Sequence, residues 1–426
     1  MIDRHPALIA RAAWAGDVPV AVRFAQRAQL PLAVRGGGHS VAGNGTVDGG
    51  MVLDLSELRD VSVEPVSATV RVSGGALLHD VDRATAPYGL AVPLGVVSAT
   101  GVAGLALGGG VGWLTRAYGL TVDNLVSAEV VTAAGDVVWA SPNENADLFW
   151  GLRGGGGNFG VVTAFTFQAH PMPPLVYGGN LFYGRSQWRD ALRVYAQWAR
   201  DLPDELTTIV TFIKPPPNWE IGDEPRMVIA FVWVGDETVR GTAAIDALRL
   251  AAPPELELIA PVPWTEWQSA SDDVFPRGSR AYWKNVAFHE LDDDVVDVVV
   301  RRALEQTWYG TAFDIHHLGG AFARVASDAT PFPNRTAGFW LNIYGFWTDP
   351  ADDDERIEFV RGLAADMAPF AEGGQYVNFV GEENLRDPLA AAREAYGPEK
   401  LQRLREVKHR YDPDNVFRFN HNIPPL

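Results

Sequence analysis

Arg35, three consecutive glycines and His39 open the stretch RGGGHSVAGNG, directly after the apolar run LPLAV. Two further glycine clusters follow. One is GVVSATGVAGLALGGGVGWLTRAYGLTVDN, from Gly95 to Asn124, and the other is LRGGGGNFGVV, from Leu152 to Val162. Glycine permits positive φ and lets a backbone approach a ligand closely. Successive backbone N–H groups in such turns form concave sites for anions. One cluster alone marks a turn. Three of them, with Arg35 and His39 embedded, point to a long, multiply phosphorylated ligand lying across loop tips, with an imidazole beside it.

Two familiar phosphate-binding patterns do not account for the clusters. Gly155, Gly157 and Gly160 satisfy G-x-G-x-x-G, but that dinucleotide fingerprint needs a strand before it and a helix after it. Here VVTAFTFQ follows and alternates like a strand. No Lys-Ser/Thr pair follows any cluster, so a P-loop is absent too.

The elements around the clusters are short. DVPVAVRFAQRAQ, Asp17 to Gln29, has helical apolar spacing with Asp17 as its N-cap. LPLAV reads as a buried strand, GGMVLDLSEL as a strand, and ATVRVSGGALLHDVDRAT as strand then helix. HPMPPL, His170 to Leu175, is a proline-rich break and is taken as a domain boundary. Beyond it, aromatic-rich strands such as MVIAFVWVG and FWLNIYGFW alternate with helices such as SQWRDALRVYAQWARDL and DERIEFVRGLAADMAPF. The proline run 215–217 marks a loop. The tail EKLQRLREVKHRYDPDNVFRFNHNIPPL begins as a helix, stops at Asp412-Pro413 and ends extended. The region to about His170 alternates short strands with helices and reads as α+β or α/β.

Composition narrows the function classes. The chain has 426 residues, enough for two or three domains or lobes. Its 53 acidic and 35 basic residues leave a net charge of −18. That argues against nucleic acid or an anionic membrane as partner, since phosphate neutralisation needs basic stripes. Cysteine is absent, which removes disulfides, thiolate metal sites and cysteine nucleophiles. No run approaches the roughly 18 apolar residues of a membrane span. The N-terminus has early charges of both signs and no cleavage pattern of a signal peptide. A cytoplasmic protein is the expectation.

With VRGGGHSVAGNG, GVAGLALGGGVGWLTRAYGLTVDN, DLFWGLRGGGGNFGVVTAFTF and KHRYDPDNVFRFNHNIPP in this order, the sequence resembles the berberine-bridge-enzyme-like FAD-linked oxidases, within the vanillyl-alcohol-oxidase (PCMH) type of flavoprotein. The resemblance runs over essentially the whole chain. It implies a two-lobed FAD-binding domain of PCMH type plus a central substrate domain, an antiparallel sheet backed by helices. The expected division is 1–172 for the N-terminal part of the FAD domain, 173–390 for the substrate domain, and 391–426 for a tail returning to the FAD domain.

The same resemblance implies the site. FAD would lie on Arg35, Gly36, Gly37, Gly38, His39, Ser40 and Gly43 in the first cluster. In the second it would meet Thr100, Gly101, Gly104, Gly108, Gly109 and Asn124, in the third Gly157, Gly160 and Val161, and in the tail Asn420 and Asn422. His39 matches the family histidine joined to the flavin 8α-methyl. The electron-poor ring acidifies that methyl, and a neutral imidazole attacks its tautomer. The bond would withdraw electron density and raise the flavin potential. Many members add a cysteinyl link, whose position falls on Val97; without any cysteine the single histidyl bond is the expectation. Plant members often have histidine where Leu105 stands. Members usually carry a further segment before the first helix, so Met1 reads as a late start or a truncation.

For catalysis, AYGPEKLQRL resembles the segment whose tyrosine deprotonates substrate, which falls on Tyr396. A tyrosine base needs a cation or a hydrogen bond to work near neutrality. QYVNF puts Tyr376 and Asn378 on one face of a strand, and FWLNIYGFW does the same for Trp340, Asn342 and Tyr344. None of those three is a carboxylate, which favours Tyr396 as base. His316 and His317 are adjacent and so point to opposite faces of a strand; they are read as structural, with no metal site. LDDDVVDVVV and DPADDDER are acidic helix starts that suit the helix dipole. The functional expectation is an oxidase that moves hydride from a small molecule to flavin N5 and returns electrons to O2. The alternatives are a dehydrogenase with another acceptor, or a flavin-binding protein without turnover.

Overall fold

Short apolar runs on either side of the glycine clusters pair as sheets, with helices between them. In the computed structural model, residues 2–426 are described apart from 216, 275–277 and 382–386, so Met1 and the middle of the proline run 215–217 lie outside the described residues. Leu8–Arg11, Met51–Asp54 and Leu32–Arg35 form a parallel three-stranded sheet, with Met51–Asp54 in the centre. The helix beside it runs Asp17–Arg27. Asp17 is its first residue rather than its cap, and Gly16 holds the cap position. The Asp17 carboxylate is engaged backwards, accepting from the amides of Ala13 at 3.0 Å and Trp14 at 3.3 Å.

A second sheet has five antiparallel strands, in the order Val61–Glu64, Thr69–Ser73, Val161–Gln168, Leu125–Val131, Val137–Ala140. Its central strand, Val161–Gln168, directly follows the third glycine cluster, where a dinucleotide fingerprint would need a helix. His170–Pro171 pairs with Leu90–Ala91 before the chain enters the third sheet at Leu175.

That third sheet is fully antiparallel. Its seven strands lie in the order Leu256–Pro263, Leu175–Tyr183, Arg226–Trp233, Leu206–Lys214, Gly310–His317, Phe339–Trp347, Arg280–Phe288. The helices Trp188–Trp198, Asp293–Leu304 and Asp353–Met367 contribute to the core on one face. The strand period of two sorts the side chains. Phe339, Leu341 and Ile343 enter the helix-backed core. Trp340 and Asn342 point the other way, toward the glycine clusters. Four residues directly opposite one another in the register, Thr211, Asp314, Asn342 and Asn285, make a polar row across four neighbouring strands.

The tail closes the structure. Pro388–Tyr411 is two helices joined at Gly397, whose φ of 73° no helix accommodates. The second ends where Lys408 and Asp412, both fully buried, pair at 2.6 Å. Lys408 also donates to the carbonyls of Asn158 at 2.8 Å and Phe417 at 2.9 Å. Asn158 then donates to the His421 carbonyl at 3.1 Å and accepts the Ile423 amide at 2.9 Å. These bonds fix the extended tail beside the third glycine cluster. Truncating one member of such a buried ion pair typically costs about 3–5 kcal/mol. Among the described residues, no helix is long and apolar enough to cross a membrane.

Candidate functional site

The three glycine clusters meet around one cavity of about 270 Å³. Two of them touch through bare backbone: a Cβ on Gly37 would stand 2.5 Å from Gly101 Cα. Here glycine is required by close approach. At Gly104 and Gly157 the reason differs, since a Cβ on either would meet no atom of the described residues within 4 Å. Both line the cavity, and a side chain there would fill space belonging to a ligand.

Most of the expected cofactor residues converge on this cavity. Arg35, Gly36, Gly37, Gly38, His39 and Ser40 line it from the first loop. Thr100, Gly101, Gly104, Gly157, Gly160, Val161 and Asn420 also line it. Five do not, and their positions explain them. Gly43, at φ 71°, packs against Ile2; a Cβ on Gly108 would strike the Asn378 side chain; Gly109, at φ 137°, packs on Phe332. Asn124 ties a turn, donating to the carbonyls of Tyr118 at 3.0 Å and Leu120 at 2.9 Å. Asn422 lines a separate small cavity behind the tail.

FAD fits these residues. The open space over Gly104 and Gly157 is a cradle for a flat or extended group, and the buried amide oxygen of Asn420 has no partner among the described residues. Val97 and Leu105 line the cavity as apolar surface. His39 is exposed on its loop, within reach of the cavity it lines.

The opposite wall is the outward face of the seven-stranded sheet, with Trp283, Asp314, His316, Trp340 and Asn342. Tyr376, Asn378 and Phe379 complete it. Tyr376 and Asn378 do come together, but not on a strand. Val377–Phe379 is a turn of 3₁₀ helix, held because Asn285 accepts the Tyr376 amide at 3.3 Å and donates to the Phe379 carbonyl at 3.3 Å. The Tyr376 hydroxyl accepts from the Gly110 amide at 3.0 Å and from Asn378 at 2.9 Å. Burial pushes its pKa up, against the downward pull of those hydrogen bonds. The phenol therefore keeps its proton near neutrality and can donate it into the cavity.

Tyr396 sits elsewhere. It does not line this cavity but the small one behind the tail. Its hydroxyl donates to the Gly154 carbonyl at 3.2 Å, and burial raises its pKa with no charged partner to oppose the shift. The geometry does not fit the base role expected of Tyr396. Tyr344 is also withdrawn, donating to Asp314 at 2.6 Å.

Sequence reasoning passed over Trp283, Asp314, Phe379 and His421, all of which line the cavity, and read His316 as structural. His316 and His317 do face opposite ways. His316 lines the cavity, whereas His317 stacks on Phe339 and lies 3.3 Å from Arg116. Burial, then Arg116, holds the His317 pKa well below its ordinary value. His421 is pushed down to about 4 by burial and stays neutral. The readable signal for the missed pair was Asp314 and His316 at strand spacing of two.

Comparison with known proteins bears on what fills this cavity. Residues 6–141 match a family model described as an FAD binding domain, and residues 375–424 match one described as berberine and berberine like. The chain is 31% identical to an uncharacterized FAD-linked oxidoreductase, YgaK, of Bacillus subtilis, over 100% of this chain and 92% of that protein. It is 32% identical to the (R)-6-hydroxynicotine oxidase of Paenarthrobacter nicotinovorans, over 99% of this chain and 92% of that one. The xylooligosaccharide oxidase of Myceliophthora thermophila C1, solved with xylobiose, superposes with a TM-score of 0.87 at 26% identity, covering 100% of this chain and 93% of that one.

Proposed function

The chain belongs to the berberine-bridge-enzyme-like family of FAD-linked oxidoreductases, and from that premise we propose that it is an oxidase joined to FAD through His39 alone. Its substrate is a compact, ring-bearing small molecule that gives up a hydride and leaves the electrons for O2. The observation that carries the reading is one shared cavity. His39 and all three glycine clusters line one side of it, and the aromatic face of the sheet lines the other.

The residues divide the work. The loops at Arg35–Ser40, Thr100–Gly104 and Gly157–Val161 hold the dinucleotide, because their backbones can approach it closely. His39 tethers the ring, and without cysteine in the chain no second tether exists. The flavin, when bound, supplies the hydride acceptor. Trp283, Trp340 and Phe379 enclose the substrate; the Trp283–Phe379 centroids stand 5.3 Å apart. Such walls take the face of a flat heteroaromatic or a sugar ring. Tyr376 orients the substrate by donating its hydroxyl proton as a hydrogen bond. The relatives named above act on a hydroxynicotine and on xylooligosaccharides, which is the range these walls suit. The division of the chain at 172/173 and 390/391 goes with this reading.

The test is anaerobic mixing of the holoprotein with a panel that includes 6-hydroxynicotine and xylobiose, followed by admission of air. Bleaching of the flavin, then recovery with formation of H2O2, is the expected result. A bleached flavin that recovers only with a dye acceptor would make the protein a dehydrogenase. A flavin that no member of a broad alcohol and amine panel bleaches would count against turnover.

A further inference from the structure

The wall of the cavity contains an acid–imidazole pair that the reading above leaves without a task. Asp314 and His316 are two residues apart on the strand Gly310–His317, so both project from the face that lines the cavity. They are 6% and 7% exposed. Asp314 Oδ2 accepts the Tyr344 hydroxyl at 2.6 Å, and Asp314 Oδ1 stands 2.9 Å from His316 Nε2. Among the described residues Oδ1 makes no hydrogen bond, so its approach to His316 is a contact between charge-bearing groups. Tyr344 lies on Phe339–Trp347, the strand hydrogen-bonded to Gly310–His317. Two paired strands thus hold a line of three side chains, tyrosine to carboxylate to imidazole.

These are parts a general base uses: a proton acceptor, and a second group placed to stabilise its charged form. In the tautomer protonated at Nε2, the nitrogen beside the carboxylate, Nδ1 keeps its lone pair. We propose that His316, backed by the Asp314 carboxylate that Tyr344 holds, accepts the hydroxyl proton of an alcohol substrate, so that the site oxidises a carbon bearing an OH group. The inference rests on the flavin oxidase reading and assigns its proton acceptor and substrate class. The bookkeeping of the step closes. The C–H bond breaks and its electron pair leaves as hydride to the bound flavin. The O–H proton passes to His316, and the carbon is left as a carbonyl, oxidised by two electrons. The imidazolium then faces the Asp314 carboxylate, which stabilises it.

The other titratable groups lining the cavity do not compete well. Tyr376 has an oxygen already taken by two donors, and His39 is committed to the cofactor. His421 lies on the tail, and Arg35, on the first glycine loop, cannot give up its proton. Tyr344 lies off the cavity, with its hydroxyl on Asp314.

The probe is 4-nitrophenol, whose O–H proton can be taken but which has no hydride to give. It is titrated into the holoprotein below its own pKa, and the phenolate band is read as a difference spectrum. Wild type is expected to bind it as the phenolate. His316→Gln is expected to lower the bound phenolate fraction at least tenfold. Asp314→Asn, which keeps the shape and the Tyr344 contact, is expected to do the same with the flavin spectrum unchanged. That spectrum separates loss of the base from loss of the fold. Probe that binds only as the neutral phenol, that does not bind, or that is ionised equally in His316→Gln overturns the proposal and leaves the oxidase reading standing. A protein that purifies without flavin overturns both.

Discussion

The Tyr376 hydroxyl accepts the backbone N–H of Gly110 at 3.0 Å, joining residues 266 positions apart in the chain. One bond thereby locks the second glycine cluster to the segment that precedes the C-terminal helices. The same oxygen takes the Asn378 side-chain amide, and Asn378 donates in turn to the Leu105 carbonyl at 3.0 Å. The substrate end and the cofactor end of the cavity share this junction.

Tyr376→Phe removes the acceptor and strands two donors. Leaving a buried donor unpaired costs about 1–3 kcal/mol. Losing a preorganised donor to a reacting substrate typically costs about 10²–10³ in rate. The expected outcome is a lower unfolding temperature together with flavin reduction slowed on that scale, with flavin content retained. Reduction at the wild-type rate would remove Tyr376 from the site.

Tyr396→Phe separates position from resemblance. Because its hydroxyl is spent on the Gly154 carbonyl and lies off the main cavity, the variant is expected to reduce its flavin within about threefold of wild type, with a stability loss on the order of 1 kcal/mol. A hundredfold loss in single-turnover reduction would restore Tyr396 as the base.

Two glycines make opposite predictions. Gly157→Ala meets no protein atom, so the apoprotein is expected to unfold at the wild-type temperature while flavin content falls. Gly37→Ala drives a methyl into the Gly101 backbone and is expected to lower stability with or without flavin, by about 1–3 kcal/mol. Equal behaviour of the two in calorimetry and flavin extraction would contradict the cradle.

Asp82 gives a pH-dependent prediction. It is 3% exposed, on the helix Leu78–Thr85, with Trp264 Nε1 at 3.3 Å from one oxygen and no partner for the other. Burial raises its pKa from 3.8 to about 7, against the Trp264 hydrogen bond and with help from Asp272. A carboxyl raised in the folded state favours folding fully below its unfolded pKa and loses that contribution as pH rises through the folded one. Asp82→Asn is therefore expected to stabilise the protein at pH 8 by on the order of 2 kcal/mol and to leave it nearly unchanged at pH 4. Thermal melts at the two pH values check this; a gain of equal size at both would show that the charge is not the cause.

What the sequence disclosed follows from how local each cause is. Gly37, Gly104 and Gly157 were legible because the need for a bare Cα, set by packed backbone at Gly37 and by open cavity space at Gly104 and Gly157, leaves its mark at the residue itself. Tyr376 and Asn378 were legible as a pair, but not their backbone: five alternating residues read as a strand until Asn285, on a distant strand, supplies the hydrogen bonds of a 3₁₀ turn. Asp314 and His316 were obscured by the adjacent His317, and only strand pairing decides which face meets the cavity. Tyr396 misled because nothing in its segment reports that its hydroxyl turns to Gly154. The start of the first helix shifted for a similar reason, since the Asp17 carboxylate binds the preceding turn instead of the helix it opens.

The most direct test of the central claim is flavin fluorescence of the denatured protein band in acid, wild type beside His39→Ala. A fluorescent wild-type band and a dark variant band are the result this account predicts, establishing FAD and its single histidyl bond together. A yellow native protein whose wild-type band is dark after denaturation would contradict it, leaving a flavin held by the glycine loops without the tether.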